Sequence, residues 1–519
     1  MTSTMIRNVQ IVDGKNSTPC FGGLLIRGGR IAAILSNCDF DADRVVEGAG
    51  QVLAPGFIDV HTHSDMTRFR YPCGESRILQ GITTEVTGNC GLSPFPVPAD
   101  RISFRQSLGP IDVAPDLDLE WKDEGEYLRA LADLRASTNV APLIGHGSIR
   151  QFVMGSSPRE PNALQMQRIN GVVRRALDIG YWGVSLGLMY SPGEHAAFPE
   201  LLNIASVVAE YEAILAVHMR AYDGDGLVAG VSELIQVAEL SGVSMQLSHL
   251  RSVADPGGAA LNVVLELLEN TSADISADAY PYVAGHTSII QLFPSDLRAR
   301  GTEAVLDEIS RNRGAVEERV IAEQKFAPEA ITVARAGIGR TPEVGHTIAA
   351  LAAVGGHDWV TELVDLVVRY EGSIDVIVVG TREEDADRVL RLPYVSVASD
   401  GVALSLAHEA NLPHPRSCGT FPRAFRQLVD GGMPLSQAVE KMTSLPAGRF
   451  GFDGRGTLEV GAAADLVLFD PSSLCDTATY AAPLSAPLGI DSVWVNGTRV
   501  VRNGEATHQL PGELLRRGA

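Results

Sequence analysis

The chain has 519 residues, 45% hydrophobic and 20% charged, the proportions of a water-soluble globular protein with ample material for a large core. Its 42 basic and 63 acidic residues leave a net charge of −21, which argues against nucleic acid or an anionic membrane surface as partner. An anionic substrate would need locally placed arginines. Six cysteines (Cys20, Cys38, Cys73, Cys90, Cys418 and Cys475) are scattered without close pairing, so free thiols in a reducing compartment are expected rather than a disulfide framework. The stretch MTSTMIRNVQIVDG has no apolar region of a secretory leader, and no run approaches ~18 consecutive apolar residues. These features predict a cytoplasmic protein with no membrane partner; they leave the oligomeric state open.

Residues 1–55 read as short strands joined by glycine turns, as in GGLLIRGGRIAAIL at 22–35. Residues 451–519 have the same texture: DLVLFD and SVWVNGTRVVRNG alternate apolar and polar residues, and Asn-Gly marks a hairpin turn. One small β-sandwich built from both ends of the chain is therefore expected. Between them, 56–450 alternates apolar runs with helical patterns. The runs are GFIDVHTH (56–63), GITTEVTG (81–88), NVAPLIGH (139–146), WGVSLGL (182–188), AILAVHM (213–219), GVSMQLSH (242–249), ADISADAY (273–280), SIDVIVVG (373–380) and VSVASD (395–400). Continuously apolar strands alternating with helices imply a parallel sheet, and about eight such units imply an α/β fold of the (β/α)8 TIM-like barrel type. Nine runs compete for eight places, and 373–380 is the doubtful one because the run after it carries chemistry. Residues at about 286–372 break the rhythm with helical patterns such as TEAVLDEISRNRGAVEERVIAEQK, which reads as an insertion near the barrel mouth: either a lid or a surface insertion without a functional part.

A parallel barrel carries its active site at the C-terminal ends of its strands. Several of the runs end in metal-binding or titratable residues. FIDVHTH ends in His61 and His63, spaced by two and so on one face of a strand. AILAVHM ends near His218, VSMQLSH at His249 and VSVASD at Asp400, and Cys90 in TGNCGLSP follows the second run. Any one of these has an ordinary reading: a hydrogen-bonded strand-end histidine, a helix-capping aspartate, a cysteine packed as a small hydrophobe. Four histidines, one aspartate and one cysteine at the same end of the inferred strands point jointly to a metal. His146 is the nearest histidine left out of the set. Imidazole and thiolate suit zinc. A catalytic zinc lowers the pKa of its water to about 7, and Asp400 is then the base for hydrolysis of an amide or similar bond.

At these residues the chain resembles the amidohydrolase superfamily, over essentially its whole length. Most binuclear members bridge their metals with a carboxylated lysine near the end of the fourth strand. The only lysines are Lys15, Lys122, Lys325 and Lys441, and Lys122 sits in the polar stretch EWKDEGEY, so that arrangement is disfavoured. GNCG after the second strand looks instead like the N-acyl-D-amino-acid deacylases (D-aminoacylases), as do SLGLMYSPG, DAYPY, HPRSCGTFPR and the separate SDG. The resemblance implies a tight zinc site at Cys90, His218 and His249. It also implies a weaker second site at His61, His63 and Asp400 with Cys90 shared. Asp400 would serve as general base and then acid, and Arg416 and Tyr280 would hold the α-carboxylate of a small N-acyl-D-amino acid. Arg251 stands where many relatives have lysine, and it either holds that carboxylate too or favours an acidic side chain. VALSLAHEANLP, between Asp400 and Arg416, leaves the side-chain preference open. The remaining cysteines read as core or surface residues, with Cys418 the one expected near the pocket. Two other readings stand beside the deacylase: a cyclic amidase of the hydantoinase or dihydropyrimidinase kind, weakened by the missing lysine, and a non-catalytic barrel relative, which would have lost ligands.

Overall fold

The computed structural model describes residues 2–518 except 16, 37–40, 109–116, 118, 338 and 408–410, so Cys38 and the middle of VALSLAHEANLP lie outside the described residues. Eight short parallel strands pair in chain order: Phe57–Asp59, Ile82–Thr87, Asn139–Gly145, Gly183–Gly187, Ile214–His218, Ser244–Leu247, Ile275–Ala279 and Val395–Val397. The middle strands are buried residue by residue, as strands covered on both faces must be. Helices such as Ala163–Asp178 and Gly224–Ser241 cover the outside with Ile169, Val172, Val173, Leu227, Val231 and Leu234. Asn162 and Gln165 form a reciprocal cap that starts the first of these two helices. The first and last strands close the ring beyond their ends. His63 N donates to Gly401 O and Asp400 N to His61 O, each at 2.8 Å.

Both ends of the chain meet in one nine-stranded sheet. Val52–Pro55 pairs antiparallel with Leu466–Phe469, which joins the N-terminal strands to the C-terminal hairpin Ile490–Val495 and Thr498–Arg502. That hairpin turns at Asn496 and Gly497, with φ of 48° and 76°, the two left-handed residues a tight primed turn requires. Ile6, Leu24, Ile26, Leu53, Leu466, Leu468 and Trp494 pack together as its core.

The run 373–380 is not a barrel strand. Ile374–Val379 is the central strand of a separate antiparallel sheet, between Ala284–Ser288 and Ile331–Ala336, inside the segment that joins the seventh and eighth barrel strands. The segment is thus helix plus sheet. Helices Thr302–Glu323, Ile348–Gly355 and Trp359–Arg369 pack on the sheet through a core of their own, which includes Ile309, Val316, Val333, Leu363, Val367 and Val376. No helix among the described residues is long and apolar enough to cross a membrane.

Candidate metal centre and active site

At the closure of the barrel the first strand ends at Asp59, whose carboxylate accepts from Ser399 N at 2.9 Å and pairs with Arg77 Nη1 at 3.2 Å. This buried staple fixes the chain on both sides of the seam, and the next residues present His61, His63 and Asp400 to one another. Asp400 has φ of 51°, which turns its carboxylate toward the histidines. His63 Nε2 and His61 Nε2 approach Asp400 Oδ1 at 3.1 and 3.6 Å.

Cys90 arrives from the turn after the second strand. Gly88 and Gly91 have φ of 79° and 72°, and a Cβ on Gly88 would lie 2.0 Å from Leu143 O. The GNCG turn is therefore pressed against the neighbouring strands and holds Cys90 itself at φ of 55°. Its Sγ lies 3.3 Å from His61 Nε2, 3.4 Å from His218 Nδ1 and 3.5 Å from His249 Nε2. Burial alone would push the thiol up, but the His61 and His218 imidazoles pull it well below its ordinary value. Burial raises Asp400 too, yet Arg416 and His63 hold it well below the usual carboxylate range.

Two features were not singled out in the sequence. Asp278, at the end of the seventh strand, faces His61 Nδ1 at 3.2 Å and accepts from His249 N at 2.7 Å. This contact orients His61 with its other nitrogen toward Cys90. The only signal for it was a carboxylate at a strand end, inside DAYPY. The insertion also contributes His286, Arg335 and Asp375 to the wall of the cavity above the cluster. That cavity is about 1200 Å³ and also exposes His63, Cys90, His218, His249, Arg251 and Arg416.

Arg251 and Arg416 both lie against Tyr280 beside the cluster, with guanidinium carbons 5.5 and 5.1 Å from its ring centroid. Tyr280 itself does not line the cavity: both arginines pack against its ring and its hydroxyl contacts Arg251 Nη1. A second ring, Tyr222, lies 5.4 Å from Arg251. Arg416 Nη1 pairs with Asp400 Oδ2 at 2.7 Å, whereas the buried Nε of Arg251 has no partner among the described residues. Cys418 is buried in the helix Arg416–Asp430 and does not line the cavity. His146 pairs with Glu200 at 2.8 Å, outside the cluster. Lys15, Lys325 and Lys441 contact Glu459, Asp223 and the Leu392 and Val395 carbonyls, and the fourth strand ends at Gly187. No lysine bridges the cluster.

His61, His63 and Cys90, then Cys90, His218 and His249, then His61, His249 and Asp400 each bring three ligand atoms within 4.8 Å of one another. One cysteine sulfur and several imidazoles in a buried pocket fit a borderline-soft divalent metal such as zinc, which binds the thiolate and the neutral imidazole forms. A parallel barrel whose strand ends carry such a cluster is the architecture of a metal-dependent hydrolase. The amidohydrolase family model matches residues 44–389 and 410–501. D-aminoacylase of Alcaligenes xylosoxydans xylosoxydans is 33% identical over 98% of this chain and 96% of its own length. N-acyl-D-glutamate deacylase of the same organism is 33% identical over 98% and 95%. The structure of N-acyl-D-glutamate deacylase from Bordetella bronchiseptica, complexed with zinc and a phosphonate mimic of the tetrahedral intermediate, superposes with a TM-score of 0.83 at 30% identity, covering 99% of both chains. The chain belongs to the amidohydrolase family and, within it, to the group of D-aminoacylases and N-acyl-D-amino-acid deacylases.

Proposed function

We propose that this protein hydrolyses the amide bond of N-acyl-D-amino acids, releasing a carboxylic acid and a D-amino acid, with zinc as cofactor. The observation that carries the reading is the buried Cys90 sulfur ringed by three imidazole nitrogens at 3.3–3.5 Å, with Asp400 lining the cavity beside it. Cys90, His218 and His249 hold the tight site. His61, His63 and Asp400, sharing Cys90, hold a weaker one. Bound zinc supplies polarisation of the acyl carbonyl and acidification of water. Asp400 takes the proton from the attacking water and returns it to the leaving amine. Arg416 and Arg251, both packed against Tyr280, grip the α-carboxylate and place the acyl carbon over the cluster. In the free enzyme Arg416 pairs with Asp400, so an arriving carboxylate competes for the guanidinium and frees the base. The cyclic-amidase alternative loses support because no lysine reaches the cluster.

The test is hydrolysis of N-acetyl-D-methionine, N-acetyl-D-glutamate and their L-enantiomers by zinc-loaded wild type and Cys90→Ala. D-selective release that collapses in the variant is expected. Wild type that binds zinc through Cys90 yet cleaves none of the four substrates would overturn the assigned substrate class.

A further inference from the structure

A second group of metal-binding side chains converges away from the catalytic cavity. Cys73 Sγ, a carboxylate oxygen of Glu75 and a ring nitrogen of His508 all lie within 4.8 Å of one another, and none of the three residues lines the cavity. They come from opposite ends of the chain. Cys73 and Glu75 flank Gly74, whose φ of 52° turns the chain into the short helix Glu75–Ile78. His508 follows the last strand with φ of 57°.

Backbone and side-chain bonds bring the two ends together without help from the three residues themselves. Ser137 N donates to Pro72 O, next to Cys73, and Ser137 Oγ to Gln509 O, next to His508, both at 2.9 Å. Thr507 N donates to Val500 O at 2.9 Å and Gly512 N to Ala136 O at 2.8 Å, so the tail is anchored on both sides of His508. Glu75 Oε2 accepts from Ser405 Oγ at 2.7 Å and from Leu406 N at 2.9 Å. This fixes the plane of the carboxylate and leaves Oε1 to act as a ligand. Outer partners of this kind orient ligands in built metal sites.

We propose that Cys73, Glu75 and His508 form a metal site separate from the catalytic cluster, which takes a zinc-class divalent ion and ties the C-terminal tail to the loop after the first barrel strand. One thiolate, one imidazole and one carboxylate select a borderline-soft ion over magnesium or calcium, and water completes the tetrahedron. As the sulfur–metal bond forms, Cys73 gives its proton to solvent, so binding releases one proton per ion. The role is structural: a clasp between chain ends. It extends to the loop that follows Asp400, because Glu75 also holds Ser405 and Leu406.

The test uses the full-length protein, stripped with a chelator and reloaded with cobalt(II) or zinc. In wild type, Cys73→Ser and His508→Ala each lower the metal bound at equilibrium by one ion per chain and remove part of the metal-dependent gain in Tm. Turnover per catalytic metal stays unchanged. In the Cys90→Ala protein, whose catalytic cluster has no thiolate, cobalt still gives a thiolate-to-cobalt absorption band, and adding Cys73→Ser abolishes it. The proposal is overturned if Cys73→Ser and His508→Ala bind as many ions as wild type, or if cobalt-loaded Cys90→Ala shows no such band. Neither readout depends on the substrate, so the clasp can fail while the deacylase reading stands, and the reverse.

Discussion

Gly285→Ala tests the arginine clamp without altering any residue of it. Gly285 lies in the insertion strand Ala284–Ser288, in an extended conformation that alanine also adopts. A Cβ there would sit 2.8 Å from both terminal nitrogens of Arg251. Ordinary contact begins near 3.5 Å, so the guanidinium must retreat by about 0.7 Å. The Tyr222 and Tyr280 rings, 5.4 and 5.5 Å from its carbon, limit the directions in which it can move. Charge-assisted hydrogen bonds to a carboxylate contribute about 1.5–3 kcal/mol, so misplacing the guanidinium should lower kcat/KM about 10- to 150-fold. A grip made equally to substrate and transition state should register mainly as a higher KM. The overpacking itself should cost about 1–3 kcal/mol of stability. The assay compares kcat and KM for an N-acetyl-D-amino acid with those for the matching N-acetyl amine that lacks the carboxylate, at verified zinc content. The poor substrate should be indifferent to the substitution. A folded, zinc-replete Gly285→Ala with wild-type kinetics on the acid would refute the assignment of Arg251 to the carboxylate.

Asp278→Asn removes the carboxylate that orients His61 and should weaken zinc binding about 10- to 100-fold, measured by chelator competition; unchanged affinity would remove Asp278 from the metal site. Gly187→Ala would place a Cβ 2.0 Å from Cys90 O, so the purified protein should retain less than one tight zinc per chain by metal analysis, and full retention would show that the turn can yield. Stripping the metals should abolish hydrolysis, and zinc should restore it; residual turnover in metal-free protein would exclude the proposed chemistry. Glu194 is raised to about 7 by burial, against the pull of Arg298 and Arg220. The folded state therefore keeps this proton through a range where the unfolded chain has lost it, and stability falls as pH rises from about 4.5 to 7. Glu194→Gln should gain Tm relative to wild type across that interval and level off above it; a pH-independent difference would contradict the assignment.

The strand ends carried most of what could be read in advance. Buried parallel strands write themselves as unbroken apolar runs, and barrel geometry gathers whatever follows them, so His61, His63, Cys90, His218, His249 and Asp400 could be grouped before any coordinates. The run at 373–380 looks like a barrel strand because the centre of an antiparallel sheet covered by helices is equally apolar. Its neighbours AGHTS and ITVARA carry little alternation, so the insertion sheet was illegible. Asp278 was missed for a different reason. Its partner His61 lies far away in sequence, and no local pattern records which carboxylate will face which imidazole. Tyr280 stood out by motif, but only the fold shows that it packs against two guanidiniums rather than lining the cavity.

The closure of the barrel has a consequence for the order in which the protein matures. His61 and His63 leave the first strand and Asp400 leaves the last, and the bonds that join them, Asp400 N to His61 O and His63 N to Gly401 O, are the same bonds that shut the ring. A nascent chain holds five of the six clustered residues long before Asp400 has been made. Until the eighth strand docks, those five lack both their carboxylate and the arginine that follows it. On the roles proposed for Asp400 and Arg416, hydrolytic competence is therefore among the last properties that folding confers.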